Sequence, residues 1–203
     1  MRNRRRSKTE IMLSRRSLLG SFALVAAAQE SPKSEAKPFV PADFQVPEMY
    51  TDPTGKYKLK PLGPQYASHD YKAYMSSIEH LQKTFSYSTN WPKPGITMAE
   101  AIADVEGELK GFQARRKFTY AVLNMTETLE LGCVYISPSP KEGYDAQVRM
   151  WVTQFQYDLG FEKTLYQDMR AWIKSRWPFE KVAFLGHEIQ RDAYRALPNK
   201  PKN

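Results

Sequence analysis

The residue types able to do nucleophilic or metal chemistry are few in this chain of 203 residues: one cysteine, Cys133, and three histidines, His69, His80 and His187. A thiolate nucleophile needs a base or a cation beside it. Cys133 stands instead inside the apolar run LGCVYIS, where a free thiol behaves as a small buried hydrophobe. A single cysteine also excludes an internal disulfide. The histidines show no paired ligand spacing such as H-x-x-x-H, so no metal site is expected. His187 follows Gly186, a place from which an imidazole can face a pocket at a strand end. The pairs Trp91-Pro92 and Trp177-Pro178 read either as helix or loop stops or as walls of a cleft.

Charge narrows the partners. The formal net charge is +8, but residues 1–28 hold seven Lys or Arg against the single acid Glu10, which leaves +2 for the rest. A nucleic-acid-binding domain would carry a dense basic stripe. Beyond the first 28 residues the one run of three is Arg115-Arg116-Lys117, at a helix end where cations offset the helix dipole. No nucleic-acid partner is expected.

The elements that must position any site follow from periodicity and breakers. Residues 29–55 contain five prolines and read as a linker or arm, with Phe39, Val40, Phe44, Val46 and Tyr50 available for partial docking. YKLKPLGP from Tyr57 is a short strand. Tyr71, Tyr74, Ile78, Leu81 and Phe85, at spacings of three and four, predict one helix with one apolar face. Thr97 and Glu100 form the two members of a capping box and start a second helix, with Ala101, Ile102, Val105, Leu109 and Phe112 inward. KFTYAVLN, LELGCVYISP and YDAQVRMWVTQF then give three antiparallel strands, the first two a hairpin around MTET. In DLGFEKTLYQDMRAWIKSRW, Leu159, Leu165, Met169, Trp172 and Ile173 make a helical stripe ended by Pro178. KVAFLGHEI is a further strand and QRDAYRAL a final short helix.

The N-terminal stretch SRRSLLGSFALVAAAQ has a different character. A basic segment, an apolar run from Leu18 to Ala28 and the small residues Ala26-Ala27-Ala28 are the order of a secretory signal. The apolar run is about half the roughly 20 residues that a membrane-spanning helix needs. Ser14-Arg15-Arg16-Ser17-Leu18-Leu19 resembles the twin-arginine export signal, S-R-R-x-F-L-K, with Leu18 in place of Phe and Gly20 in place of Lys. That resemblance implies recognition of Arg15 and Arg16 by the twin-arginine export machinery, cleavage after the Ala26-x-Ala28 pattern, and a periplasmic or secreted protein. The competing reading is a basic tail for anionic lipid or nucleic acid.

Taken in order, strand, two helices, three antiparallel strands, helix, strand and short helix, the chain resembles the GNAT superfamily of N-acetyltransferases over roughly residues 56–196. LGCVYISP and AQVRMWVTQ are similar to its hairpin and central strands, and RAWIKSRWPFEKVAFLGHEI to its following helix end and strand. The resemblance implies an α/β (α+β) fold with a central, mostly antiparallel mixed sheet flanked by helices. The expected organisation is a signal peptide over 1–28, an arm over 29–55, a GNAT-like domain over 56–197 and a loose tail over 198–203. It also implies an acyl-CoA, such as acetyl-CoA, whose pyrophosphate sits on backbone N–H groups at a helix start, through a loop of the form R/Q-x-x-G-x-G/A. The matching stretch is Gln154 to Phe161, and Gln154, Gln156, Gly160 and Phe161 are the implied cofactor-binding residues. The match is altered: Leu159 and Phe161 replace both small residues, and Asp158 and Glu162 add negative charge. Glu130 and Tyr194 are the residues the resemblance offers as catalytic base and acid. Their plainer readings are a solvated hairpin end and a packing tyrosine. Two functions of different class follow: an exported acyltransferase with an altered donor loop, or an exported, non-catalytic domain that binds an unknown small-molecule or protein ligand on the same fold.

Overall fold

Strand-forming residues dominate the middle of the chain, and the computed structural model, which describes residues 38–201, sets them in one six-stranded sheet in sequence order. The strands are β1 (Tyr50–Thr51), β2 (Tyr57–Pro61), β3 (Phe118–Asn124), β4 (Glu130–Pro138), β5 (Ala146–Val152) and β6 (Val182–Phe184). All neighbours are antiparallel except β5 and β6, which run parallel. The helices are α1 (Ala67–Met75), α2 (Ile78–Thr84), α3 (Met98–Gln113), α4 (Gln154–Asp158), α5 (Phe161–Arg176) and α6 (Arg191–Ala196). This is the mostly antiparallel mixed sheet flanked by helices that the sequence predicts. Arg15, Arg16, Ala26 and Ala28, which carry the export reading, lie outside the described residues.

Strand alternation sends side chains to two separate cores. On one face Leu59, Phe118, Tyr120, Val134, Ile136 and Val148 pack against Leu165, Met169, Trp172 and Ile173 of α5. On the other, Ala121, Leu123, Cys133 and Trp151 meet α1, α2 and α3 through Tyr74, Leu81 and Val105. Burying each such large side chain contributes about 1.5–3 kcal/mol. Cys133 is fully buried, as its apolar setting predicts.

The arm is integral to the first core. Val40 is buried, Phe39 stacks between Phe118 and Phe179, and Phe44 packs on Trp177. Arg115 fastens it, donating from Nη2 to the carbonyls of Pro41 (2.6 Å) and Phe44 (2.9 Å). Trp177 is thereby a core residue as well as the stop of α5.

Local expectations diverge in four places. The single helix expected across residues 65–86 is two, because Ser76 Oγ donates to the Ala73 carbonyl and Ser77 Oγ accepts from the amide of Gln154. Serine side chains compete for backbone partners and break the ladder there. Ile102 and Leu159 are exposed rather than inward: Ile102 borders the core-facing stripe of α3, and Leu159 precedes the start of α5. Pro198 to Lys200 are held rather than loose, since Glu142 N–H donates to the Pro198 carbonyl and Lys200 N–H to the Pro140 carbonyl. The capping box of α3 is present as read, with Glu100 N–H donating to Thr97 Oγ1 and Thr97 N–H to Glu100 Oε2.

The β3–β4 pairing slips between Val122 and Leu123, leaving Leu131 as an extra residue and drawing Gly132 tight against β5. A Cβ on Gly132 would stand 2.1 Å from the Trp151 carbonyl oxygen and 2.9 Å from Val152 Cα, both backbone atoms that cannot step aside. Gly132→Ala is therefore expected to destabilise the protein by roughly 2–4 kcal/mol. Denaturant unfolding measures this, and an unchanged midpoint would refute the tight β4–β5 approach.

Candidate functional site

Two regions collect the polar groups that the fold does not use internally. The first lies at the start of β4. Glu130 opens this strand next to the bulge, and the pairing Leu123↔Glu130 places it on the α1 side of the sheet. It is 6% exposed, not a solvated hairpin end, and neither carboxyl oxygen accepts a hydrogen bond from a donor N–H or hydroxyl. Its neighbour is Asp70 of α1, equally buried. Burial pushes both carboxyls above the usual range, and the negative charge of Asp70 raises Glu130 further, while a hydrogen bond from the protonated Glu130 favours the charged form of Asp70. Two buried acids placed in this way titrate as a coupled pair. Beside them is a cavity of about 340 Å³ lined by Glu130, His69, Lys72, Thr153 and Gln156.

The second region is where β5 and β6 part. Their pairing spans Ala146↔Val182 to Val148↔Phe184, with Leu185 N–H donating to the Val148 carbonyl. Gly186, at φ 86°, then turns the chain away, while β5 runs on to Val152. By strand alternation the backbone N–H and C=O of Met150 point into the resulting gap. His80 closes part of it: its ring hydrogen-bonds to the Val152 backbone and packs 4.7 Å from the ring of Tyr157. Burial lowers the His80 pKa and favours the neutral ring.

In front of the gap lies a cavity of about 370 Å³ walled by Lys83, Ser86, Tyr157, Glu162, Gly186 and Arg191. The start of α5 borders it, with Gly160 in the left-handed region at φ 74° and no side chain capping the helix. Free N–H groups at a helix start attract anions. Glu162 in the first turn opposes that attraction, as does Asp192, 3.7 Å from Arg191 Nε; Lys83 and Arg191 supply the positive charge that the loop itself lacks. Ser86 and Arg191 also line a smaller cavity holding Arg149, Tyr194 and Tyr87, and Arg149 and Tyr87 line a third. Shared lining residues make the three neighbours, linked through Phe85, Ser86, Tyr87, Arg149 and Arg191.

The residues singled out from the sequence are distributed over these regions. Gln156 joins Glu130 at the first cavity. Gln154 is exposed and donates from Nε2 to Asp158. The stretch expected to be an open phosphate loop is instead a turn of helix, α4, capped by Thr153. Gly160 stands at the start of α5, while Phe161 turns into the first core, edge-on to Tyr57 at 5.0 Å. Neither Leu159 nor Phe161 walls the 370 Å³ cavity, so the steric crowding expected from them is absent there.

Tyr194 is buried, its hydroxyl 2.6 Å from Ser139 Oγ, just past the far end of β4. Glu130 begins that nine-residue strand. At about 3.4 Å per residue the two are roughly 30 Å apart. The structure thus sets Glu130 and Tyr194 at opposite ends of β4 rather than in one cavity. His187 stacks on Tyr166 at 4.5 Å and lies 3.8 Å from Glu162, and Trp91 walls the third cavity. Sequence reading missed Lys83, Arg149 and Arg191; only Arg149 left a trace, as a charge inside an otherwise apolar alternation.

The Glu130–Asp70 pair generates a pH signature. Both folded-state pKa values are raised, so the unfolded chain releases these protons first. The stability from keeping them is complete below about pH 4 and is lost as pH rises through the folded values. The melting temperature is expected to fall as pH rises from about 4 through the Asp70 value of about 7, and Glu130→Gln, isosteric and neutral, should flatten that slope. An equal slope in the variant would refute the raised pKa of Glu130.

No protein-family model matches the sequence, and no curated protein matches it by sequence. Among solved structures, a ribosomal-protein-S5-alanine acetyltransferase from Vibrio fischeri is similar at 14% identity, with 58% of this chain and 63% of that chain covered and a TM-score of 0.46. A putative ribosomal-protein-serine acetyltransferase from Vibrio cholerae is similar at 13% identity, 60% and 64% coverage and a TM-score of 0.46. The chain thus spans less than two thirds of the length of either. The microcin C7 self-immunity acetyltransferase MccE, in complex with acetyl-CoA and AMP, is similar at 16% identity, 61% and 69% coverage and a TM-score of 0.42.

Proposed function

We propose that the protein is an N-acyltransferase of GNAT type whose acyl-CoA donor lies in the gap between β5 and β6. The observation that carries this reading is the parting of the two parallel strands after Val148 and Phe184, directly in front of the start of α5. The gap offers the Met150 backbone groups to an extended amide-containing chain, as an added strand would use them. The pyrophosphate would rest at the start of α5, opposite Lys83 and Arg191. In the reaction an amine nitrogen attacks the thioester carbonyl; the C–N bond forms, the C–S bond breaks, and the proton leaves the nitrogen as the CoA thiol departs. The donor site is weakened by Glu162. A like charge at this range costs on the order of 1 kcal/mol in a partly screened setting.

The separation of Glu130 from Tyr194 favours a second reading, a binding domain on the same fold without catalysis. Titration calorimetry of the full-length protein with acetyl-CoA separates the two. Under the first reading binding is weak, Glu162→Gln tightens it about fivefold, and Arg191→Ala weakens it by a similar factor. No binding by the wild type or by Glu162→Gln would leave the second reading alone.

We also propose that residues 1–28 direct twin-arginine export and are removed after Ala28, on the strength of Arg15-Arg16, the short apolar run and Ala26-Ala27-Ala28. Changing both arginines to lysine should hold the uncleaved precursor in the cytoplasm in a bacterial fractionation. Unchanged export of that variant would sink the assignment.

A further inference from the structure

Arg149 projects from β5 to the face of the sheet covered by α1, α2 and α3, where the fold leaves its charge unanswered. Its guanidinium carbon lies 4.2 Å from the ring centre of Tyr87 and 5.4 Å from that of Tyr135. Its Nε is buried and has no acceptor, and among the described residues it joins none of the ion pairs. Aromatic faces soften the loss of water around a guanidinium but do not supply an anion. Ser137, two residues further along β4 than Tyr135, also has a buried hydroxyl without a partner. Both line one cavity of about 240 Å³.

Asp104 of α3 lines the same cavity. The neighbouring carboxylate, Glu108, is taken by Lys117 Nζ at 2.6 Å and by the Thr119 hydroxyl. Asp104 makes no such bond; it is an exposed residue, and partial desolvation together with Glu108 raises its pKa while Lys117 lowers it. Phe85, Trp91 and Ile136 supply apolar surface to the lining. The cavity thus presents a free cation with a free hydroxyl, a free carboxylate and an aromatic wall. It is smaller than the roughly 300–1,000 Å³ pockets of drug-sized ligands.

We propose that this cavity binds a small zwitterion, an amino acid or amino-acid-like molecule with an apolar side chain. The ligand carboxylate pairs with Arg149 and accepts from Ser137, its ammonium faces Asp104, and its side chain packs on Phe85 and Trp91. A phosphate or dicarboxylate would meet repulsion from Asp104, and a plain amine would leave Arg149 unanswered. The binding claim uses nothing of the acyl-transfer reading, and its test contains no acyl-CoA, so either can fail without the other.

The test is titration calorimetry of the full-length protein with L-phenylalanine, 3-phenylpropionate, which lacks the amine, and L-phenylalaninamide, which lacks the carboxylate. Phenylalanine is expected to bind saturably and each analogue at least about tenfold more weakly, as for loss of one charge-assisted hydrogen bond. Arg149→Gln should cost phenylalanine about 10- to 100-fold, with Arg149→Lys in between. Asp104→Asn should abolish the preference for phenylalanine over phenylpropionate. If Arg149→Gln does not fold, the comparison of phenylalanine with its amide on the wild type decides alone. Equal binding of the three compounds, no saturable binding of phenylalanine, or undiminished binding by a folded Arg149→Gln would each overturn the proposal.

Discussion

The parallel ladder between β5 and β6 is three residue pairs long, and much of the molecule is organised by where it stops. Backbone groups released from a ladder inside a protein need other partners. Here the Val152 backbone is met by His80 from α2, Gly186 bends β6 aside, and Ser86 closes over that bend, 3.6 Å from where a Gly186 Cβ would stand. The break between α1 and α2 serves the same junction. Ser77, at the break, accepts the Gln154 amide and so fixes α4 where β5 runs out. A short ladder thus produces a cleft, and the elements around the cleft are placed by the groups that the ladder abandons.

The rest of the sheet shows the opposite economy. β3 is buried almost throughout, β4 over much of its length, and both are paired on both edges, so side chains on either face have little choice of neighbour. Gly132 permits the closest backbone approach, and the bulge at Leu131 turns Glu130 under α1. A buried acid at that point has no stabilising role in packing, since an apolar residue of the same size would avoid its desolvation. Burial and the neighbouring Asp70 both favour its neutral, protonated form, which lowers that cost.

Much of this architecture is legible in the sequence because it is local. The capping box at Thr97, the hairpin around MTET, the alternation of β5 and the stripe of α5 are all written in spacings of two, three or four residues. The split at Ser76-Ser77 was hidden because the apolar spacing continues across it, and spacing does not report which backbone group a serine prefers. The candidate site is legible only in fragments. Gln156 and Glu130 meet because β4 and β5 start and end side by side, whereas Tyr194 is carried to the other end of the sheet by α5 and β6. Such placements depend on strand register and crossover, which no single segment contains. Lys83, Arg149 and Arg191 come from three separate elements, and their placement on neighbouring cavities has no trace in any window of the chain.

The docking of the arm carries a consequence for the order of assembly. Residues 39–44 leave the ribosome early, yet the surfaces that receive them, Phe118, Trp177 and Phe179, are made 79 to 140 residues later, and the clamp Arg115 lies 74 residues from Pro41. Contacts of such separation form after the local hairpins and helices they bridge. A segment made before its partners is therefore among the last to be fixed, and its immobilisation reports that the sheet and α5 are already in place.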